Sequence, residues 1–184
     1  MDQIYSALVP HASASARDAI SKTLEHFGIP ALNFVAAQGV TIRPLRRKER
    51  YDNCSPALKR LGIDVDAWPA PPAGLFVVEE RTIYLRSKSP MTVAHEFGHA
   101  LDCALGSGMY FSNTDPLIRA AFAAAKSFVT PYAATGVDEY FAESVRALVE
   151  CNDEGSFWPA ATKSRLAKVD PVMFDYVGSL ISKL

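Results

Sequence analysis

The segment from Ser89 to Gly106 most constrains the fold, because it encodes one helix whose two sides carry different kinds of residue. Ser89 before Pro90 is typical of an N-cap followed by a first-turn proline, and Gly106 is typical of a helix end. His95 and His99 fall together on one side of this helix. The opposite side is apolar and carries Val93, Phe97, Ala100, Leu101 and Ala104. The apolar side must pack into a core, so the histidines face elsewhere.

Gly98 lies inside the same helix, between the two histidine turns. A glycine in a helix interior costs about 1 kcal/mol relative to alanine. One reason to keep glycine at such a position is the close approach of another backbone. We therefore expect a second element to cross the helix at Gly98.

Predicted strands come early in the chain and predicted helices come late. Apolar residues at helical spacing predict a helix over residues 12–27, which Gly28 and Pro30 end. Short strands are predicted at residues 35–45, 75–80 and 82–86, the last two as a hairpin. Four helices are predicted after the histidine helix, over residues 115–128, 136–151, 160–169 and 171–183.

This order of elements predicts an α+β fold. It consists of a small N-terminal sheet with helices, the histidine helix, and a mainly helical C-terminal part, with a cleft between the two parts. A length of 184 residues suits one domain. We expect residues 1–184 to form that domain, with an α/β subdomain at 1–106 and a helical subdomain at 107–184.

Composition limits the partners. The formal net charge is −1, which gives no general attraction for nucleic acid or an anionic membrane. No apolar run approaches the roughly 20 residues that span a bilayer, and the first twenty residues lack the pattern of an export signal. We expect a soluble monomer, either cytoplasmic or exported by another route. The three cysteines, Cys54, Cys103 and Cys151, are expected to be free buried thiols.

The histidine helix contains the H-E-x-x-H pattern, His95-Glu96-Phe97-Gly98-His99. Two imidazoles four residues apart on a helix point the same way and can hold one zinc ion. A catalytic zinc takes three protein ligands and leaves a fourth position for water, so another ligand must come from elsewhere.

The third ligand has several candidates. A histidine six residues after His99 is excluded, because Leu105 occupies that position. Asp102 shares the histidine side but lies about 4.5 Å further along the axis, so it is expected to accept a hydrogen bond from an imidazole or to be exposed. The helix over residues 136–151, with Thr135 and Asp138 resembling a capping box, offers a polar side instead.

That polar side carries Glu139, Glu143, Arg146 and Glu150. Taken alone, such a side is typical of a solvated helix face with internal ion pairs. If it faces the histidines across a cleft, Glu139 or Glu143 completes the zinc site.

Two segments of the chain resemble a known family. His95 to Asp102 reads H-E-F-G-H-A-L-D, and Tyr132 to Glu143 reads Y-A-A-T-G-V-D-E-Y-F-A-E. Together they resemble the catalytic domain shared by anthrax lethal factor and the Pro-Pro endopeptidases, which are zinc metallopeptidases of the gluzincin type. In that family a tyrosine lies seven residues before the ligand glutamate. The resemblance therefore implies one zinc per chain, held by His95, His99 and Glu139.

The implied chemistry is peptide hydrolysis by a zinc-activated water, with Glu96 as general base. Tyr132 would donate a hydrogen bond to the oxyanion of the tetrahedral intermediate, or else would be an aromatic residue packed on Phe128. A protein substrate could pair in extended form with strand 75–80 or 82–86, if one of them is the sheet edge nearest the cleft. Trp68 and the prolines beside it could line the cleft or form a surface loop.

Two alternatives remain open. One is a zinc peptidase of the kind that cleaves phage-type repressors, although the chain lacks the asparagine and the helix-turn-helix signal expected of it. The other is a catalytically inactive zinc-binding interaction protein. Structural zinc sites normally have four protein ligands and favour cysteine, which the motif here does not offer.

Overall fold

A computed structural model of the protein describes residues 2–184 and confirms the α+β class. The α-helices are α1 (Asp2–Leu8), α2 (Ala14–Leu24), α3 (Gly28–Ala37), α4 (Tyr51–Cys54), α5 (Pro56–Leu61), α6 (Pro90–Leu105), α7 (Pro116–Ala124), α8 (Val137–Val149), α9 (Lys163–Val169) and α10 (Pro171–Ser182). The strands are β1 (Thr41–Pro44), β2 (Gly74–Val77) and β3 (Thr82–Leu85). None of the helices in residues 2–184 combines the length and the hydropathy needed to cross a membrane.

The three strands form one sheet in the order β1-β3-β2. The predicted hairpin is present, because β2 pairs antiparallel with β3. A short turn joins them and ends at Arg81, which adopts a left-handed conformation with φ of 50°. β1 pairs with β3 in parallel. β3 is therefore central, and within residues 2–184 one side of β2 has no strand partner.

The first predicted helix ends at Gly28, as expected, but a second helix follows it without an intervening loop. α2 passes through one 3₁₀ turn, Glu25–Phe27, directly into α3. Gly28 has a φ of 77°, which redirects the chain at the junction. Pro30 lies in the first turn of α3, where its missing N–H has no intrahelical partner to lose. These two residues thus mark a joint between helices, and residue 35 is helical, not in a strand.

The helix with the predicted histidines is the centre of the fold. Its side chains are buried almost all round, including the whole predicted apolar side. Ser89 caps its first turn by accepting a hydrogen bond from the N–H of Thr92, and the helix ends at Gly106 as expected. The large apolar core around it includes residues from both ends of the chain, from α1 to α10.

α8 crosses α6 at Gly98. A Cβ atom built on Gly98 would lie 3.0 Å from the Cα atom of Ala142 and 3.1 Å from its carbonyl oxygen. The close backbone approach expected at this glycine is therefore present. α8 begins after Gly136, without the predicted side-chain cap, because the Thr135 hydroxyl donates to the carbonyl of Tyr132 instead.

A second, smaller core lies on the other side of the sheet and packs α4 and α5 against it. Glu80 connects the sheet to α5 and to the residue before it. Its carboxylate accepts hydrogen bonds from the Ser55 hydroxyl (2.7 Å), the Ala57 N–H (2.6 Å) and the Tyr84 hydroxyl. The three cysteines are free and buried, as predicted.

Candidate active site

Three side chains from α6 and α8 meet at one point: His95, His99 and Glu139. The Nε2 atoms of the two histidines are 3.2 Å apart. Glu139 Oε2 lies 3.1 Å from His95 Nε2 and 3.2 Å from His99 Nε2. The three atoms form a nearly equilateral triangle, and these residues could hold a metal ion.

The size of this triangle fits a tetrahedral centre. Bonds of about 2.0–2.1 Å to nitrogen and oxygen at tetrahedral angles separate the ligand atoms by roughly 3.3 Å. Two imidazole nitrogens and one carboxylate oxygen are also a donor set that suits zinc with one position left for water. The donors present thus fit the metal that the sequence motif predicts.

Glu143 lies one helical turn beyond Glu139 and contacts the opposite nitrogen of His95. Because a carboxylate only accepts, His95 Nδ1 donates to Glu143 Oε1, at 2.9 Å. A proton on Nδ1 leaves Nε2 of a neutral imidazole with its lone pair toward Glu139 and His99. Glu143 therefore orients the His95 ring instead of joining the triangle.

Arg146 and Thr130 hold Glu143 in turn. The Arg146 guanidinium donates to both Glu143 oxygens, at 2.8 and 2.7 Å, and the Thr130 hydroxyl donates at 2.5 Å. Glu143 and Arg146 are only 3% and 2% exposed. A solvated face is therefore wrong for these two residues, because His95 of α6 contacts Glu143 and the segment after α8 contacts Arg146. Glu150 lies at the exposed helix end and accepts from the N–H of Lys163.

The electrostatics of the site favour positive charge. Burial disfavours a charged imidazole, but hydrogen bonds to Glu139 and Glu143 outweigh it and raise the pKa of His95 to about 10. Burial alone would likewise raise the pKa of Glu139, but its contacts with His95 and His99 lower that pKa to about 2. Carboxylates that stabilise a proton on this cluster also stabilise a metal cation in its place.

Glu96 lies beside the triangle at the floor of a cleft and is almost fully buried. Burial raises the pKa of its carboxyl group above the ordinary value. Its side chain packs against Gly74 of β2, where an added Cβ atom would come within 2.5 Å of Glu96 Cγ. A raised pKa and a position on the cleft floor suit a residue that takes and returns a proton.

Tyr132 forms another wall of the cleft and is 42% exposed. Its ring centroid lies 5.3 Å from that of His95. The alternative of packing on Phe128 is not what the structure has, because Phe128 packs on Phe122 and Tyr140. Burial and the nearby Glu139 raise the pKa of the Tyr132 hydroxyl, so it stays protonated as a hydrogen-bond donor.

Asp102 takes a role that the sequence did not predict. It is completely buried, so the expectation of an exposed carboxylate was wrong. It accepts hydrogen bonds from the N–H and hydroxyl of Ser112, at 2.8 and 2.5 Å. Among the described residues, His99 Nδ1 has no hydrogen-bond partner, so Asp102 does not bind that imidazole. Asp102 fixes the turn after α6 instead.

The cleft has a volume of about 330 Å³ and is bounded by β2, α6 and the loop between α8 and α9. Pro71 and Pro72 line it, but Trp68 does not. Trp158, which the sequence analysis did not single out, lines the cleft beside Tyr132. The available signal was a pair of adjacent aromatic residues, Phe157 and Trp158, in a loop.

The edge of the sheet at the cleft is β2, so β3 is excluded as the strand that could receive a peptide. The N–H of Arg86 donates to the carbonyl of Ala73, so these two residues form a hydrogen-bonded pair of the antiparallel strands. Because ladder bonds alternate along an antiparallel pair, the backbone groups of Gly74 and Phe76 point away from β3. These groups therefore point outward from the β2 edge of the sheet, and Gly74 and Glu96 line the same cleft.

Comparison with solved structures gives a similar protein, the Pro-Pro endopeptidase PPEP-2 from Paenibacillus alvei. The TM-score is 0.67 at 20% sequence identity, and the match covers 96% of this chain and 99% of that chain. The two proteins share a fold. No protein-family model matches the chain, and no curated protein matches it.

Proposed function

We propose that the protein is a zinc-dependent endopeptidase that hydrolyses peptide bonds of a protein substrate. The observation that carries this proposal is the convergence of His95, His99 and Glu139 on one point, with Glu96 and Tyr132 lining the same cleft as His95. The likeness in fold to PPEP-2 supports a peptidase of the Pro-Pro endopeptidase kind. We also propose that residues 1–184 act as one domain and as a monomer.

The proposed reaction divides its work among few residues. Zinc bound by His95, His99 and Glu139 would act as a Lewis acid and make a water molecule more acidic. The Glu96 carboxylate takes a proton from the attacking water and gives it to the leaving amine. A buried carboxyl group with a raised pKa suits both steps, since it accepts the proton and holds it until the C–N bond breaks.

Tyr132 and Glu143 support this chemistry without exchanging protons with the substrate. The Tyr132 hydroxyl donates a hydrogen bond to the oxyanion that forms at the attacked carbonyl carbon. Glu143 keeps the His95 ring in the orientation and tautomer that direct Nε2 toward the metal position. Arg146 neutralises the buried Glu143 charge.

A peptide-library assay tests the proposal. The purified protein should cleave a library of synthetic peptides that includes Pro-Pro sequences, and mass spectrometry of the products should identify the bonds. A zinc chelator should abolish cleavage, and added zinc should restore it. Zinc binding without cleavage of any peptide would instead favour the inactive zinc-binding protein. Cleavage that persists in chelator would contradict the metal mechanism.

A further inference from the structure

The loop between α8 and α9 is closed and firmly attached at its base. Asn152 and Ala161 hydrogen-bond to each other twice: the Asn152 side-chain amide donates to the Ala161 carbonyl at 2.9 Å, and the Ala161 N–H donates to Asn152 Oδ1 at 2.8 Å. Asp153 accepts from the N–H of Met91 in the first turn of α6, at 2.9 Å. These bonds fix the loop against the helix that carries the histidines.

The same base is connected to the candidate metal site. Arg146 Nη1 donates to Asn152 Oδ1 at 2.8 Å, and the same guanidinium is paired with Glu143. Glu143 binds His95 Nδ1. One chain of hydrogen bonds therefore sets the position of the His95 ring and of the loop, so the loop has a defined place relative to the reacting bond.

The tip of this loop exposes large apolar side chains. Phe157 is fully exposed and Trp158 is 52% exposed. The Trp158 ring lies 6.4 Å from the Tyr132 ring, in an edge-to-face arrangement, and lines the cleft. Pro71, Pro72 and Met91 also line this cleft, so part of its lining is apolar.

We propose that Trp158 is a specificity-determining residue, which contacts an apolar side chain of the substrate close to the scissile bond. This inference rests on the proposed endopeptidase function. The outward backbone groups of Gly74 would hydrogen-bond an extended peptide, so they would bind it without regard to its side chains. Trp158 supplies a rigid aromatic surface for one side chain, in a cleft that Pro71 and Pro72 also line.

A matched pair of variants tests the role of Trp158. Trp68 is as exposed as Trp158, 51% against 52%, but lies outside the cleft. We expect Trp158→Ala to lower kcat/KM about tenfold or more for peptides with the preferred apolar residue, mainly through KM. Peptides with alanine at that position should be affected much less. Trp68→Ala should match the wild type, and Trp158→Phe should recover part of the preference.

A binding measurement supplements the kinetics. In the Trp68→Phe, Glu96→Gln double variant, Trp158 is the remaining tryptophan and cleavage is suppressed. Titration with the best substrate from the library should shift its fluorescence to shorter wavelength, and a peptide with alanine at the preferred position should bind more weakly.

The outcomes separate this inference from the proposed function. If the wild type cleaves no peptide, the endopeptidase function fails and the inference fails with it. If the wild type cleaves with a preference that Trp158→Ala leaves unchanged, only the inference is overturned. A Trp158-dependent preference for lysine or arginine would also overturn it, because the contact would then be with a cation.

Discussion

Ala142 occupies the space that a side chain on Gly98 would need. A Cβ atom on Gly98 would lie 3.0 Å from Ala142 Cα and 3.2 Å from Ala142 Cβ, closer than packed atoms normally approach. This contact lets α6 and α8 lie near enough for Glu139 to reach the two histidines. The geometry of the candidate metal site thus depends on a residue that contributes no side chain to it.

Substitution of Gly98 tests this dependence. Alanine improves helix propensity by about 1 kcal/mol, but overpacking at a helix crossing costs about 1–3 kcal/mol. We expect Gly98→Ala to lower the free energy of unfolding and to weaken zinc binding, measured by urea unfolding and by calorimetric titration. Gly178→Ala is the control, since no atom lies within 4 Å of its added Cβ. A Gly98→Ala protein as stable as this control would contradict the argument.

The two glutamates of α8 should differ in their effect on metal content. We expect Glu139→Ala to lose zinc during dialysis, because it removes one of three ligand atoms. Glu143→Gln should keep zinc with an affinity about 10–100-fold lower, because it removes no ligand atom but weakens the bond that orients His95 and the pairing with Arg146 that holds Glu143 in place. Metal analysis after dialysis measures both. If Glu143→Gln loses zinc and Glu139→Ala retains it, Glu139 is not the metal ligand supplied by α8.

Glu96→Gln should separate chemistry from metal binding. The amide keeps the shape of the side chain against Gly74 but cannot take a proton from water. We expect zinc content and thermal stability close to those of the wild type and a kcat lower by about 10²–10⁴-fold. Turnover near the wild-type rate would rule out Glu96 as the general base.

Tyr132→Phe removes one hydroxyl and leaves the aromatic contacts with His95 and Trp158 in place. If the hydroxyl contacts only the oxyanion, kcat and kcat/KM should fall together by about 10²–10³-fold, with unchanged zinc content. Steady-state kinetics decides between two roles. A rise in KM at constant kcat would mean that the hydroxyl binds the substrate in its ground state.

Glu80 gives a pH-dependent prediction for the second core. Burial raises its pKa, but the donors on Ser55, Tyr84 and Ala57 outweigh burial and lower the pKa below the ordinary 4.5. The folded state therefore favours the carboxylate, and this stabilisation is present above the ordinary pKa and lost as the pH falls through the lowered one. Glu80→Gln should cost about 1–3 kcal/mol near pH 7, and urea unfolding should show a smaller cost near pH 3. A cost independent of pH would contradict this assignment.

The sequence predicted α6 closely because its signals are local. Ser89, Pro90 and Gly106 act within one helical turn, and the apolar side follows from helical periodicity. Gly28 and Pro30 marked the end of the first helix but did not reveal that a second helix follows, because the same two residues also suit a joint between two helices. Local signals do not say whether the chain continues as a helix in a new direction.

Other features depend on contacts between distant elements. Glu139 and Glu143 are one turn apart on α8, so periodicity places both on the same side and cannot choose between them. The choice follows from where α8 crosses α6, and only the family resemblance carried that information. The burial of Arg146 was missed for the same reason, since a charged helix side is buried only when another element covers it. Trp68 and Trp158 both lie in loops, and only the folded chain separates them.

Gly74 has a consequence for how this protein could be diversified. Any side chain there would collide with Glu96, since an added Cβ atom would come within 2.5 Å of Glu96 Cγ. Gly74 of β2 therefore cannot be replaced by a larger residue unless Glu96 moves. Mutant libraries aimed at new substrates should leave Gly74 fixed and vary the two rims, residues 71–72 and 157–159.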